Sequence, residues 1–169
     1  IGSRIGIHQV VMEERLSAGL VDEAVEALRR SLTIAEATLS STPRPSLAWR
    51  EARSAVARAG SALALLEYEQ LRFLDSWRLA ERLLERIGPA EDVETAALSL
   101  ARARGRAGET NDAEPWVTDA TAALAVVRAT GDRALELETL VELAGARGEA
   151  GLPAIDDWRA VGALATQLG

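Results

Sequence analysis

Apolar residues recur at helical spacing along almost the whole of this sequence. Val21, Val25, Leu28, Leu32, Ala35 and Leu39 step alternately by four and three. Trp49, Ala52, Val56, Ala59, Leu63 and Leu66 follow, then Leu74, Trp77, Ala80, Leu84 and Ile87. The pattern continues through Val93, Ala96, Leu100, Ala103 and Ala107, and through Ala113, Val117, Ala120, Leu124 and Val127. It closes with Ala134, Leu137, Val141 and Ala144, and with Ile155, Trp158, Val161 and Leu168. Such steps place apolar side chains on one stripe of a 3.6-residue helix, and no segment sustains the period-two alternation of a strand. Hydrophobic residues make up 48% of the chain but aromatics only 4%, so Ala and Leu supply the core. That mixture suits closely packed helices better than sheets.

The breaks between stripes are short and carry helix-stop chemistry. Thr42-Pro43-Arg44-Pro45-Ser46 cannot continue a helix, because each proline restrains its predecessor as well as itself. Gly88-Pro89 places a glycine at a helix end and a proline at the next helix start. Gly19, Gly108 to Asp112, Gly131-Asp132 and Gly151 to Pro153 act similarly. Asp22/Glu23, Glu91/Asp92 and Asp156/Asp157 lie just after breaks, where carboxylates oppose the positive end of the helix dipole. Eight helices are expected, over roughly 5–18, 22–40, 46–66, 70–87, 90–107, 112–130, 132–148 and 153–168.

The chain also matches itself. Ala103-Arg104-Gly105-Arg106-Ala107-Gly108 returns about 40 residues later as Ala146-Arg147-Gly148-Glu149-Ala150-Gly151, and Leu100 returns as Leu143. Trp77, Trp116 and Trp158 recur at a similar interval. The implied unit is a helix pair present four times, over about 5–40, 46–87, 90–130 and 132–168, within one domain spanning 1–169. A single pair cannot bury its apolar stripe alone, whereas stacked pairs can.

Gly19-Leu20-Val21-Asp22-Glu23-Ala24-Val25-Glu26-Ala27-Leu28 and the residues to Leu32 resemble the turn and second helix of the tetratricopeptide family. Ala113 and Ala120 match its two small-residue positions in the third unit, and Ala163-Leu164 the later one in the fourth. Thr130-Gly131-Asp132-Arg133, with Glu136 and Leu140 to Gly151, resembles the longer repeats of bacterial signal-transducing ATPases and transcriptional regulators. The second unit has Glu67-Tyr68-Glu69 where the family has its turn glycine, and the fourth has Asp156 in place of Ala. The resemblance implies an all-α, right-handed superhelix of four antiparallel helix pairs. It implies a protein-interaction scaffold in a larger cytoplasmic regulatory protein, binding a protein, a peptide or another domain of its own chain. A ligand-sensing module controlling an attached effector, or an oligomerisation spacer, are the alternatives.

In that family the first helices of the pairs line a concave groove. Carried over, the groove face comprises Gln9 and Glu13, then Thr95, Leu98, Arg102 and Arg106, then Glu138, Val141 and Glu149. Arg102 and Arg106 lie one turn apart and would suit an acidic peptide or a chain terminus, unless Arg102 is engaged by Glu138.

Other chemistry is poorly provided for. There is no Cys, and His8 is the single His, with no partners at defined spacing for a dyad or a metal site. Neither a nucleophile elbow nor a phosphate-cradling glycine loop occurs, so the expectation is no catalysis, no metal and no cofactor. Glycines fall at expected helix ends, and the four Trp residues read as packing between layers. The net charge of −7 disfavours direct nucleic-acid binding and anionic membranes. No apolar run is long enough for a transmembrane helix. All 19 basic residues are Arg, which points to a GC-rich, bacterial coding sequence. A chain opening on Ile reads as a piece of a longer protein. Ile155, Trp158, Val161 and Leu168 are expected to lack cover from a later helix, which would favour self-association through the terminal helices.

Overall fold

In the computed structural model, residues 20–88 and 92–169 are described, and among them the chain forms seven helices and no strand. These are α1 (Leu20–Ser41), α2 (Leu47–Glu69), α3 (Phe73–Ile87), α4 (Val93–Thr110), α5 (Glu114–Thr130), α6 (Arg133–Glu149) and α7 (Ile155–Leu168). The helix expected over 5–18, with Gln9, Glu13 and His8, lies outside the described residues.

The helix ends follow from local chemistry. Ser46, Asp92 and Asp132 cap α2, α4 and α6, their side chains accepting from Trp49 N at 3.0 Å, Thr95 N at 2.8 Å and Leu135 N at 3.0 Å. Gly88, Gly131 and Gly151 take positive φ after α3, α5 and α6, a region that costs glycine nothing. Gly108 does not end α4 as expected. The helix continues to Thr110 and stops at Asn111, whose φ of 56° places it in the left-handed region. Between α2 and α3, where no turn glycine is present, Leu71 takes a φ of 61°. A branched side chain there costs about 1–2 kcal/mol.

Each helix packs on the next, and α2 also packs directly on α4. Short connections between packed neighbours make successive helices antiparallel. The α1–α4 core contains Val25, Leu32, Leu39, Val56, Leu63, Leu83, Ile87 and Leu98. A second core joins Ala120, Leu124, Leu140, Leu143 and Leu164 of α5, α6 and α7.

On α1 the buried residues Val25, Leu32, Ala35 and Leu39 are the expected stripe. Helices with more neighbours bury more. On α2, Arg53, Ala57, Gly60, Ala64 and Glu67 form a second buried stripe beside Ala52, Val56 and Leu63, because α2 contacts α1, α3 and α4 together. On α6 the expected Ala144 is buried and Leu137 packs against the second core, whereas Ala134 and Val141 are exposed and Glu136, Thr139, Leu140, Leu143 and Ala146 are buried as well. Burial of Glu136 is offset by Arg128 and Arg133, which pair with it at 2.9 and 2.7 Å.

Three glycines within helices sit where no side chain would fit. A Cβ on Gly60 would lie 2.3 Å from Leu83 Cδ1, one on Gly105 2.8 Å from the Trp77 backbone nitrogen, and one on Gly108 2.8 Å from the Phe73 ring. They mark close approaches of α2 and α4 to α3.

Arg53 joins three elements from a buried position. Its Nε donates to the Ile87 carbonyl at 3.1 Å, and its Nη2 to the Gly88 carbonyl at 3.1 Å and Thr95 Oγ1 at 2.8 Å. Nη1 pairs with Asp92. Burial pushes the Asp92 carboxyl up, but hydrogen bonds from Thr95 and Arg53 outweigh it and hold the carboxyl below its ordinary range.

Candidate functional site

Two hollows are each walled by three or more helices. The larger, about 640 Å³, lies between α1, α2 and α3 and is lined by Arg29, Arg72 and Arg82, Glu36 and Glu67, with Leu32, Leu63 and Leu79 among its apolar lining. Its buried acids are already matched. Glu67 receives Arg29 at 3.3 Å and also Arg72, and Glu36 receives Arg82 at 2.8 Å and Arg86 at 3.2 Å.

The smaller hollow, about 250 Å³, is lined by Tyr68 of α2, Arg104 of α4, Trp116 of α5, and Val141, Glu142 and Gly145 of α6. Its centre is the Arg104 guanidinium, 5.5 Å from the Tyr68 ring centroid, 5.9 Å from that of Trp116, and paired with Glu142. Burial pulls Arg104 below the usual arginine range, against the opposing fields of Tyr68 and Glu69. Two polar atoms here are cut off from solvent and have no hydrogen-bond partner: the Trp116 indole nitrogen, a donor, and Glu142 Oε2, an acceptor. The indole nitrogens of Trp49 and Trp77 are likewise unpartnered, so the feature peculiar to this hollow is the open carboxylate oxygen of Glu142 beside a paired guanidinium.

The groove residues expected from the sequence are scattered. Thr95 and Leu98 are buried, at 5% and 0% exposure, and cannot meet a partner. Thr95 accepts from Arg53, and Leu98 packs in the α1–α4 core. Arg102 points toward α3 and α5. It donates to Asp119 at 2.7 Å, not to Glu138, and lines a separate cleft with Glu81, Leu84 and Glu85. Arg106, Glu138 and Glu149 are exposed. Val141, 38% exposed, lines the Arg104 hollow.

The residue sequence reasoning passed over is Arg104. Two positions on a helix differ by about 200°, so Arg102 and Arg104 face opposite sides of α4. The contact of α4 with α2 could have signalled which side faces α6, but that contact is made by the small second stripe of α2, which carries no hydrophobic pattern. Trp116 packs against the second core, while Trp158 of α7 is 46% exposed. Among the described residues no group of His, Cys, Asp and Glu could hold a metal ion, and no helix is long and apolar enough to cross a membrane. None of the protein-family models, curated proteins or solved structures compared with this chain matches it.

Proposed function

We propose that the chain is a protein-interaction scaffold of the tetratricopeptide kind, part of a larger bacterial regulatory or signalling protein, and that it takes a peptide segment at the Arg104 hollow. The packing of each helix on the next, with α2 also resting on α4, supports stacked helix pairs. On that reading α2, α4 and α6 are the first helices of their pairs, and they supply Tyr68, Arg104 and Glu142 to a common face. The observation that carries the proposal is the open carboxylate oxygen of Glu142 beside a caged guanidinium. The hollow's size fits a side chain better than a metabolite, because small-molecule sites usually enclose about 300–1,000 Å³.

The 640 Å³ hollow favours a second reading, a ligand-sensing module. Its buried carboxylates already have arginine partners, which leaves a ligand less to gain there. A photoreactive residue in place of Val141 in the intact protein tests the first reading, with Arg78 on the exposed part of α3 as control. Cross-linked polypeptide identified by mass spectrometry from position 141 and not from 78 is the expected result. Equal cross-linking at both positions, or none, would refute it.

A further inference from the structure

We infer that the occupant of the Arg104 hollow is an arginine side chain on an extended segment of a partner protein; this rests on the peptide-binding reading above. The chain itself supplies the pattern. Its three most buried paired glutamates each hold two arginines. Glu67 holds Arg29 and Arg72, Glu136 holds Arg128 and Arg133, and Glu36 holds Arg82 and Arg86. Both oxygens of Glu67 and of Glu136 are used in this way. Glu142 holds Arg104 alone, and its second oxygen is closed to solvent and unpartnered. A second guanidinium would complete it as its counterparts are completed once the partly exposed carboxylate turns Oε2 outward, and none of the described residues supplies one.

The surrounding charge selects the same chemistry. Arg104 is the hollow's one cation, and Glu142 already neutralises it. Glu69 lies close enough for its field to act on Arg104, and exposed Glu138 stands one turn from Glu142 on α6. An incoming carboxylate would have to displace Glu142 and remain beside these acids. An incoming guanidinium displaces nothing. It would repel Arg104, but two arginines on one carboxylate is an arrangement the protein already adopts three times. The chain's net charge of −7 favours a basic partner at long range as well.

The walls suit a long stem ending in a planar cation. Val141 is partly exposed, and a Cβ on Gly145 would meet nothing within 4 Å, so space remains along α6 beside Glu142. An aliphatic stem can lie there while its head meets Oε2 as the Glu142 carboxylate, which is not itself fully buried, turns toward the opening.

The test is a positional-scanning library of heptapeptides with both termini blocked, bound to the intact protein. Sub-libraries fixed as arginine, citrulline or glutamate at one position are compared on wild type, Glu142→Gln and Glu138→Gln. Citrulline keeps the shape of arginine and removes the charge. Arginine should be retained about tenfold or more over citrulline, the difference expected of a charge-assisted contact. Glu142→Gln should abolish that preference, and Glu138→Gln, at an exposed position that does not bear on folding, should reduce it. Preferred retention of glutamate or citrulline, lost when Val141 is replaced by Asp, would overturn the arginine assignment and leave the peptide-binding reading standing. Retention of no sub-library in a manner sensitive to Val141 or Glu142 would overturn both.

Discussion

Replacing Gly105 by alanine should destabilise the protein, although alanine is the better helix former. A Cβ at this site of α4 would lie 2.8 Å from the Trp77 backbone nitrogen, 2.9 Å from Ser76 Oγ and 3.0 Å from Trp77 Cβ. The first of these is main chain and cannot rotate away. The second is held in place because Ser76 Oγ donates to the Ala64 carbonyl at 2.7 Å. The helices α3 and α4 must therefore move apart, and overpacking of this kind costs about 1–3 kcal/mol. Against it stands about 1 kcal/mol gained by removing a helical glycine. The net loss should be about 1 kcal/mol, or about 2–4 °C in melting temperature for a chain of this size. Gly162→Ala on α7 is the matched control, since nothing lies within 4 Å of its Cβ. It should gain up to about 1 kcal/mol and melt about 2–4 °C higher. Thermal unfolding of the two variants by far-UV circular dichroism reads both signs. If Gly105→Ala melts at or above the wild type, α3 and α4 do not approach as described.

Two further outcomes follow from buried groups. Leu98→Ala, at a fully buried position that a groove assignment would have left accessible, should cost about 2–5 kcal/mol in urea unfolding, whereas a groove residue would cost almost nothing. The carboxyls of Asp92 and Glu136 are both held below their ordinary values of 3.8 and 4.5, Glu136 chiefly by the Arg128 hydrogen bond. A depressed folded-state pKa contributes stability above the ordinary value and loses it as pH falls. Unfolding free energy should therefore decline once pH drops below about 4.5 and continue to decline past 3.8, and Glu136→Gln should flatten the first part of that decline.

Helix positions could be read from the sequence because spacing and stop chemistry are local properties. The expected helix over 46–66 appears as Leu47–Glu69, and that over 132–148 as Arg133–Glu149. Faces were legible only where a helix has few neighbours. α1 buries the stripe its apolar residues announce, whereas α2 and α4 touch helices on several sides and bury Arg53, Gly60, Thr95 and Gly105 as well. Hydrophobicity does not mark such positions: glycine there admits another backbone, and arginine there binds carbonyls. The same blindness hid the candidate site. Arg102 and Arg104 are chemically identical in sequence, and only the packing of α4 assigns one to Asp119 and the other to Tyr68, Trp116 and Glu142.

Arg53 turns the passage from α3 to α4 into a measured length. Surface connections usually accept inserted residues, because little depends on where their two ends stand. Here the Ile87 and Gly88 carbonyls at one end, and Asp92 and Thr95 at the other, are gripped by a single rigid, planar head. One extra residue adds up to about 3.5 Å of chain, while hydrogen bonds tolerate only about 0.5 Å of variation. An insertion would have to bulge wholly outward or release one end. The side chain thus acts as a ruler on its own backbone, fixing how far apart the two ends of this connection stand whatever length lies between them.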